Sequence, residues 1–258
     1  MCTFFLLLLA SSIDAKEKAV TVQRQYYAIR IYHVSNSQQM NTVETYLQNS
    51  FLPAMHQLGY KTIGVFKPVG NDTATDKRIY VLIPFQSLEQ FEQLPQQLAK
   101  NSAYANADNE YTHAAVTQPP YSRYETILLR AFEGHPVLEL PHLTGSKPAR
   151  IYELRSYESP SEQWHQNKMQ MFIKGNEIGI FKRLNFNAVF YAGVLAGSHM
   201  PNLMYMTTFE NMQDRDAHWK AFGADPAWKQ LSSMPEYPKQ NVSHIDDLFL
   251  TPVDYSDI

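Results

Sequence analysis

The chain has 258 residues, a length that fits one or two domains, and its 44% hydrophobic content is typical of a globular protein. Its 22 Lys and Arg residues against 25 Asp and Glu residues give a net charge of −3. That balance argues against a nucleic-acid-binding protein, because such proteins usually carry a basic face. The single cysteine, Cys2, precedes every segment predicted to fold, which excludes a disulfide, a thiolate nucleophile and a cysteine metal site in the body of the protein.

The first segment in chain order is a short apolar run at residues 4–10, followed by small residues and then by Lys16-Glu-Lys18. Seven apolar residues fit the core of a signal peptide and are far fewer than the roughly 20 that cross a bilayer. Because Met1-Cys2-Thr3 lacks Lys and Arg, the signal is atypical or the true start lies upstream. We assign residues 1–18 to a signal peptide and tail, and predict an exported protein, periplasmic or secreted, with no stable membrane span. The alternative is a frayed apolar tail.

Two stretches of the remaining sequence match each other. Tyr27-Ala-Ile-Arg-Ile-Tyr-His33 corresponds to Tyr152-Glu-Leu-Arg-Ser-Tyr-Glu158, which lies 125 residues later. An internal repeat of this length indicates two copies of one structural unit. We place the copies at residues 26–132 and 150–254, with a Pro- and Gly-punctuated linker at 133–149. Three more matches follow in the same order: residues 79–85 with 203–209, 101–104 with 225–228, and 122–129 with 243–250.

Each copy predicts the order strand, helix, strand, strand, helix, strand. In the second copy, branched and aromatic residues at 151–157 predict a strand, and Ser159-Pro-Ser-Glu162 predicts a helix start with Ser159 as its N-cap. Further polar residues with N-cap character precede the other helices of both copies: Asn36, Ser87 and Asn211. The remaining strands of the second copy are predicted at 186–192, 203–209 and 242–252.

This order predicts an α+β fold in which each copy is a ferredoxin-like split βαβ unit with an antiparallel sheet. Two helices cover one face of each sheet, so the other face must be buried elsewhere. With two copies in one chain, the economical solution is to pack sheet against sheet and close a barrel. The sequence leaves open whether the two copies close on each other or on those of a second chain.

The second copy resembles a NIPSNAP domain almost from end to end. The most specific pieces are the strand Tyr152-Glu-Leu-Arg-Ser-Tyr157 and the segment Phe222-Gly-Ala-Asp-Pro-Ala-Trp228. The first copy resembles it more loosely and has Ala28 where the second copy has Glu153, which suggests that it has lost part of any site. The resemblance implies a dimeric α+β barrel, in agreement with the element order, and it implies no settled activity.

Common catalytic and cofactor motifs are absent from the sequence. It contains no P-loop, no Gly-x-Gly-x-x-Gly nucleotide fingerprint and no Gly-x-Ser-x-Gly nucleophile elbow. The nine histidines are scattered, and none forms the His-x-x-x-His pair that places two metal ligands on one helix face. We therefore predict no cofactor and no metal site, and we assign no catalytic residue. The alternative for a metal is a site assembled from residues distant in the sequence.

The most informative polar residues lie on the first strand of each copy. We expect the more apolar face of each strand to meet the helices, so that the opposite, polar face points between the two sheets. A buried arginine there needs a partner. One interpretation is an ion pair that fixes strand packing, such as Arg155 with Glu153, and the other is a guanidinium fork that binds a carboxylate or another small anion. The candidate ligand-binding residues are Arg30, Tyr32, Glu153, Arg155, Tyr157 and Tyr205.

Three functions are consistent with these observations. The leading hypothesis is an exported protein of uncharacterised activity that binds a small anionic or apolar ligand, or a protein partner, in or around the barrel. The second is a cofactor-independent enzyme of the monooxygenase or isomerase type, which needs a cavity with a titratable group aimed into it. The third is a structural or interaction module that assembles, for example as a homodimer.

Overall fold

The computed structural model describes residues 23–107 and 110–258, and the predicted signal segment at 1–18 lies outside them. Within those ranges, no helix combines the length and the apolar character that crossing a membrane requires. The described residues form eight strands: β1 (Tyr26–Val34), β2 (Gly64–Pro68), β3 (Lys77–Phe85), β4 (Arg123–Ala131), β5 (Ile151–Glu158), β6 (Phe190–Ala196), β7 (Asn202–Phe209) and β8 (His244–Pro252).

These strands close into one antiparallel barrel with the order β1-β3-β2-β8-β5-β7-β6-β4. Strands β1–β4 form the first unit and β5–β8 the second, and both units have the strand order 4-1-3-2. The two units join where β2 pairs with β8 and where β4 pairs with β6. The predicted α+β barrel is therefore confirmed, and it closes within one chain.

The helices lie on the outer face of the barrel. Three predicted N-caps are confirmed: the side chains of Asn36, Ser87 and Asn211 each accept a hydrogen bond from a backbone N–H in the first turn, at 2.9–3.3 Å. A π-helical turn at Leu47–Phe51 joins the first two helices. The helices are α1 (Ser37–Tyr46), α2 (Leu52–Gln57), α3 (Leu88–Lys100), α4 (Ser102–Ala105), α5 (Glu162–Ile173), α6 (Glu177–Arg183), α7 (Met212–Ala224) and α8 (Pro226–Ser232).

Two boundaries differ from the sequence prediction. Ser161, and not Ser159, is the N-cap of α5, because the Ser161 side chain accepts the hydrogen bond from the first turn. The hydroxyl of Ser159 is buried and has no hydrogen-bond partner among the described residues. Strand β6 begins at Phe190 rather than at residue 186, because the chain first turns through Asn185 and Asn187, whose φ angles of 56° and 44° are left-handed.

The protein has one apolar core inside the barrel and one under the helices of each unit. The barrel interior is filled by side chains of both units, among them Phe66, Tyr80, Tyr152 and Phe190. An eight-stranded barrel is just wide enough to be filled by side chains, and here one cluster of buried side chains occupies the interior. The two outer cores contain the helix residues Val43, Phe51 and Leu94 in the first unit, and Phe172, Phe181 and Phe222 in the second.

The predicted orientation of the polar strand residues is wrong. Tyr27, Ile29 and Ile31 point into the barrel, whereas Arg30 and Tyr32 lie on the face that the helices cover. The barrel interior is enclosed by strands on every side, so apolar side chains fill it. On the helix-covered face a guanidinium group can still reach water, since 12% of the Arg155 side chain is exposed. In the second unit, four candidate residues likewise lie on the helix-covered face: Glu153, Arg155, Tyr157 and Tyr205.

Candidate functional site

The polar cluster of the second unit centres on Glu153, whose side chain is 0% exposed. Its Oε1 accepts hydrogen bonds from Arg155 Nη1 and Arg215 Nη2, both at 2.7 Å. Its Oε2 accepts from Arg215 Nε at 3.1 Å and from Trp219 Nε1 at 2.6 Å. Because Arg215 and Trp219 belong to α7, this carboxylate ties the helix to the sheet.

A second acid, Asp247 of β8, completes the charge balance. Its Oδ2 accepts from Arg155 Nη1 at 2.8 Å and from Arg215 Nη2 at 3.3 Å. Burial and the neighbouring Glu153 raise the pKa of Asp247 to about 6. Burial also acts to raise the pKa of Glu153, but hydrogen bonds from Arg215 and its other neighbours outweigh burial and lower that pKa. Two guanidinium groups thus face two carboxyl groups, of which Glu153 is completely buried and Asp247 is partly exposed.

The remaining candidate residues of the second unit extend the same network. Arg155 Nε donates to the Tyr157 hydroxyl at 3.3 Å, and the hydroxyls of Tyr157 and Tyr205 share a hydrogen bond of 2.8 Å. The Arg155 guanidinium also lies 4.7 Å from the ring centroid of Trp219. The structure therefore brings all four predicted residues of this unit together, and the Arg155–Glu153 ion pair has an N–O distance of 2.7 Å.

Arg30 occupies in β1 the position that Arg155 occupies in β5. Across the adjoining strand, Arg30 pairs with Thr126, whereas Arg155 pairs with Asp247. Two residues earlier on its strand, the first unit has Ala28 in place of the glutamate. Helix α3, the counterpart of α7, contains no arginine and no tryptophan. Arg30 forms no ion pair within the described residues, and its Nε is buried without a hydrogen-bond partner there.

Among the described residues, tyrosines rather than carboxylates surround Arg30. Its Nη1 donates to the Tyr32 hydroxyl at 3.4 Å, and its guanidinium lies 4.9 Å from the ring centroid of Tyr124. The Tyr111 hydroxyl donates to that of Tyr32 at 3.2 Å, and the Tyr111 ring stacks on Tyr46 with centroids 3.6 Å apart. The first unit thus presents a half-buried cation in an aromatic setting.

An open cavity of about 640 Å³ adjoins this tyrosine cluster. Tyr111 lines the cavity and also contacts Tyr32, so it connects the cavity with the surroundings of Arg30. The other lining residues come from α1 and from residue 110: Gln38, Asn41, Thr42, Thr45, Tyr46 and Glu110.

Sequence reasoning missed three members of the second unit's cluster: Arg215, Trp219 and Asp247. Arg215 and Trp219 are four residues apart, which places them on one helix face, and that spacing was the available signal. Trp219 reads from its sequence spacing as a core residue, but it is partly buried and its indole N–H donates to Glu153. Asp247 could not be connected with Arg155 before the register of β5 and β8 was known.

A second cavity, of about 410 Å³, lies at one mouth of the barrel. The buried His33 contributes to its wall, with Nδ1 2.9 Å from Asp76 Oδ1 and Nε2 3.0 Å from Glu125 Oε1. The cavity gives a small molecule room at this mouth of the barrel. Residues of both units line it, among them Arg78, Glu125, Ser156, His199, Asn202 and Asp246.

Residues 152–257 match the family model of NIPSNAP. A search of the curated proteins found no match. One similar solved structure is a protein provisionally named a monooxygenase from Lactobacillus acidophilus, with a TM-score of 0.58 and 11% identity over 89% of this chain and 94% of that one. Another, provisionally named a monooxygenase from Fusobacterium nucleatum, has a TM-score of 0.57 and 6% identity over 89% and 92% of the chains.

An uncharacterised NIPSNAP-like domain protein from Burkholderia xenovorans covers 42% of this chain and 90% of its own, with 17% identity and a TM-score of 0.38. At 11% and 6% identity, the likeness to the first two structures shows the fold alone. That fold extends over both units, whereas the family match lies within the second.

Proposed function

We propose that this chain, whose residues 152–257 form a NIPSNAP domain, binds one small carboxylate ligand through Arg30 of its first unit. The observation that carries the proposal is the contrast between two corresponding arginines. Arg155 is neutralised by Glu153 and Asp247, whereas Arg30 has no acidic partner among the described residues. A half-buried guanidinium group without a counter-charge is well matched by a bidentate carboxylate, whose two oxygens fit its fork of N–H donors.

The surroundings of Arg30 indicate the class of carboxylate. The rings of Tyr32, Tyr121 and Tyr124 lie close together, with centroids 5.5–5.9 Å apart. An aromatic or compact apolar group attached to the carboxylate would pack against Tyr124, which is 47% exposed, because Tyr32 itself is fully buried. The Tyr32 hydroxyl lies beside the guanidinium and accepts hydrogen bonds from Arg30 and from Tyr111, so its own proton can be donated to a carboxylate oxygen. Benzoate is the simplest probe with these properties.

The second unit has a structural role in this proposal. Its guanidinium groups already hold two carboxylates, and Glu153 accepts hydrogen bonds from both arginines and from Trp219. An incoming anion would have to displace an internal acid that is completely buried. We therefore propose one ligand per chain rather than two.

Isothermal titration calorimetry with benzoate and with its neutral counterpart benzamide tests this proposal. We expect wild type to bind benzoate and not benzamide, and Arg30→Gln to weaken benzoate binding about tenfold to a hundredfold, the loss typical of a hydrogen-bonded charge. Arg130→Gln is the matched control, because it removes an exposed arginine of the same unit. Equal binding of benzoate by Arg30→Gln and wild type would overturn the proposal.

We also propose export to the periplasm or out of the cell, which the apolar run at residues 4–10 and the small residues after it support. Expression of the full sequence in a bacterial host, followed by intact-mass measurement of each fraction, tests this. A shortened chain outside the cytoplasm is expected, and a full-length chain retained inside would contradict export.

The cofactor-independent enzyme stays an alternative with one specific observation in its favour. The barrel interior is packed, so such chemistry is confined to the mouth cavity, where His33 and Glu125 are titratable groups in its wall. Assembly as a homodimer also stays a prediction, although the two sheets already bury their inner faces within one chain.

A further inference from the structure

Side chains from three adjacent strands meet in one row at the barrel mouth. Glu158, the last residue of β5, pairs with Asn202 on β7 and with His244 on β8. Asp246 follows two residues after His244 and so lies on the same strand face, opposite Ser156. The register of the barrel therefore places one imidazole and two carboxylates side by side, although 86 residues of chain separate Glu158 from His244.

The distances in this row suit a metal ion. One potential ligand atom from each of Glu158, His244 and Asp246 lies within 4.8 Å of the other two. His244 Nε2 is 3.1 Å from Asp246 Oδ1, and a further histidine, His199, has its Nδ1 2.7 Å from Glu158 Oε1. His199 belongs to the turn between β6 and β7, where its φ is 66°, a left-handed value. A histidine hydrogen-bonded to a metal-binding carboxylate is a typical means of orienting that ligand.

An independent observation at the same cavity points to a missing ligand. Asn202 is only 2% exposed, and its Nδ2 donates to Ser156 Oγ at 2.8 Å. Its Oδ1 is buried without a hydrogen-bond partner among the described residues. Buried polar atoms in folded proteins are almost always paired, so this acceptor calls for a donor. Asn202 and Asp246 line the same mouth cavity, and a metal-bound water is a donor of the required kind.

We propose that Glu158, His244 and Asp246 bind a divalent transition-metal ion, and that Asn202 Oδ1 accepts a hydrogen bond from a water on that ion. One imidazole with two carboxylates is a donor set for Zn²⁺ or Mn²⁺, whereas Ca²⁺ and Mg²⁺ prefer oxygen ligands alone. Three protein ligands leave a coordination position for water or a small molecule from the cavity.

This inference is independent of the proposed carboxylate site. Glu158, His244 and Asp246 belong to the second unit, where Asp246 lines the mouth cavity and the other two face each other on adjacent strands. Arg30 lies on the opposite face of the sheet, under the helices of the first unit. Either site can fail its test without affecting the other.

The test is a calorimetric titration of the full chain, first stripped with a chelator, with Zn²⁺, Mn²⁺, Ca²⁺ and Mg²⁺ in turn. We expect one equivalent of Zn²⁺ or Mn²⁺ to bind more tightly than Ca²⁺ or Mg²⁺. His244→Ala and Asp246→Asn should each weaken binding more than about tenfold, and Asn202→Ala about tenfold. Circular dichroism establishes whether each variant is folded. If another variant does not fold, Asp246→Asn still tests the proposal, because it changes an exposed residue.

His56→Ala is the matched control. His56 is also an exposed histidine hydrogen-bonded to a carboxylate, with Nε2 3.0 Å from Asp257 Oδ2, but it is not part of a three-ligand group in the described residues. Its variant should bind the ion as wild type does. The proposal is overturned if wild type takes up no stoichiometric ion, if Ca²⁺ or Mg²⁺ binds more tightly than Zn²⁺ and Mn²⁺, or if His244→Ala and Asp246→Asn bind as tightly as wild type.

Discussion

Replacing Glu153 by Gln tests the buried network of the second unit most sharply. Each carboxylate oxygen accepts two hydrogen bonds from described residues, and the Gln amide has only one accepting oxygen. If that oxygen replaces Oε1, the amide N–H groups face the donors Arg215 Nε and Trp219 Nε1. In the flipped orientation they face the donors of Arg155 and Arg215. Two donors lose their acceptor either way, and the two arginines lose one of their two counter-charges.

The magnitude follows from the burial of these groups. Breaking a buried ion pair by removing one partner lowers the free energy of unfolding by about 3–5 kcal/mol. The lower end applies here, because 12% of the Arg155 side chain and 18% of the Arg215 side chain remain exposed, and both keep Asp247. A loss of about 3 kcal/mol corresponds to a fall in Tm of about 6–12 °C for a chain of this size.

Urea unfolding followed by circular dichroism, together with calorimetric Tm values, measures this loss. Glu44→Gln is the control, because it breaks the ion pair between Glu44 and Lys67, whose side chains are 24% and 31% exposed, respectively. This variant should lower the free energy of unfolding by less than about 1 kcal/mol. Equal losses of stability for Glu153→Gln and Glu44→Gln would refute the reasoning, because the network would then contribute no more than an exposed pair.

Two further predictions concern the pKa of Asp247 and the buried ion pair between Lys168 and Glu177. The pKa of Asp247 is raised to about 6 in the folded chain, against 3.8 for a free side chain. Between about pH 4 and pH 6, the folded chain therefore keeps a proton on Asp247 that the unfolded chain releases. The stability of wild type should therefore fall relative to Asp247→Asn as the pH rises through this range, and parallel pH profiles of the unfolding free energy would contradict this. Lys168 Nζ lies 2.9 Å from Glu177 Oε2, with 6% and 2% of the side chains exposed. Lys168→Met should lower the free energy of unfolding by about 3–5 kcal/mol, because it leaves the buried Glu177 carboxylate without a counter-charge. The double variant Lys168→Met with Glu177→Gln removes that carboxylate and should lose much less. Urea titrations measure both losses, and equal losses would contradict this explanation.

Much of the fold could be predicted from local signals. The N-caps Asn36, Ser87 and Asn211 each place an oxygen where the first turn of a helix leaves a free N–H, and this depends only on neighbouring residues. The strand and helix order of each unit then limits the topology to a split βαβ arrangement. The start of β6 was less predictable, because left-handed residues such as Asn185 and Asn187 interrupt an apolar stretch that otherwise reads as a strand.

The candidate site was only half predictable. Alternation along β1 and β5 correctly groups Arg30 with Tyr32 and Arg155 with Glu153. When both faces of a sheet are buried, however, alternation does not show which face lines the barrel interior and which is covered by helices. Tertiary packing decides this, because the barrel interior admits apolar side chains from two units at once. The partners of these arginines, including Asp247, depend on strand register, which a single sequence does not reveal.

Native mass spectrometry in the presence of excess benzoate tests the central claim most directly, because it counts ligands per chain. The asymmetry between Arg30 and Arg155 predicts one bound benzoate per wild-type chain and per Arg130→Gln chain, and a much smaller bound fraction on Arg30→Gln at the same benzoate concentration. Two bound benzoates per chain, none on wild type, or undiminished binding by Arg30→Gln would contradict the account.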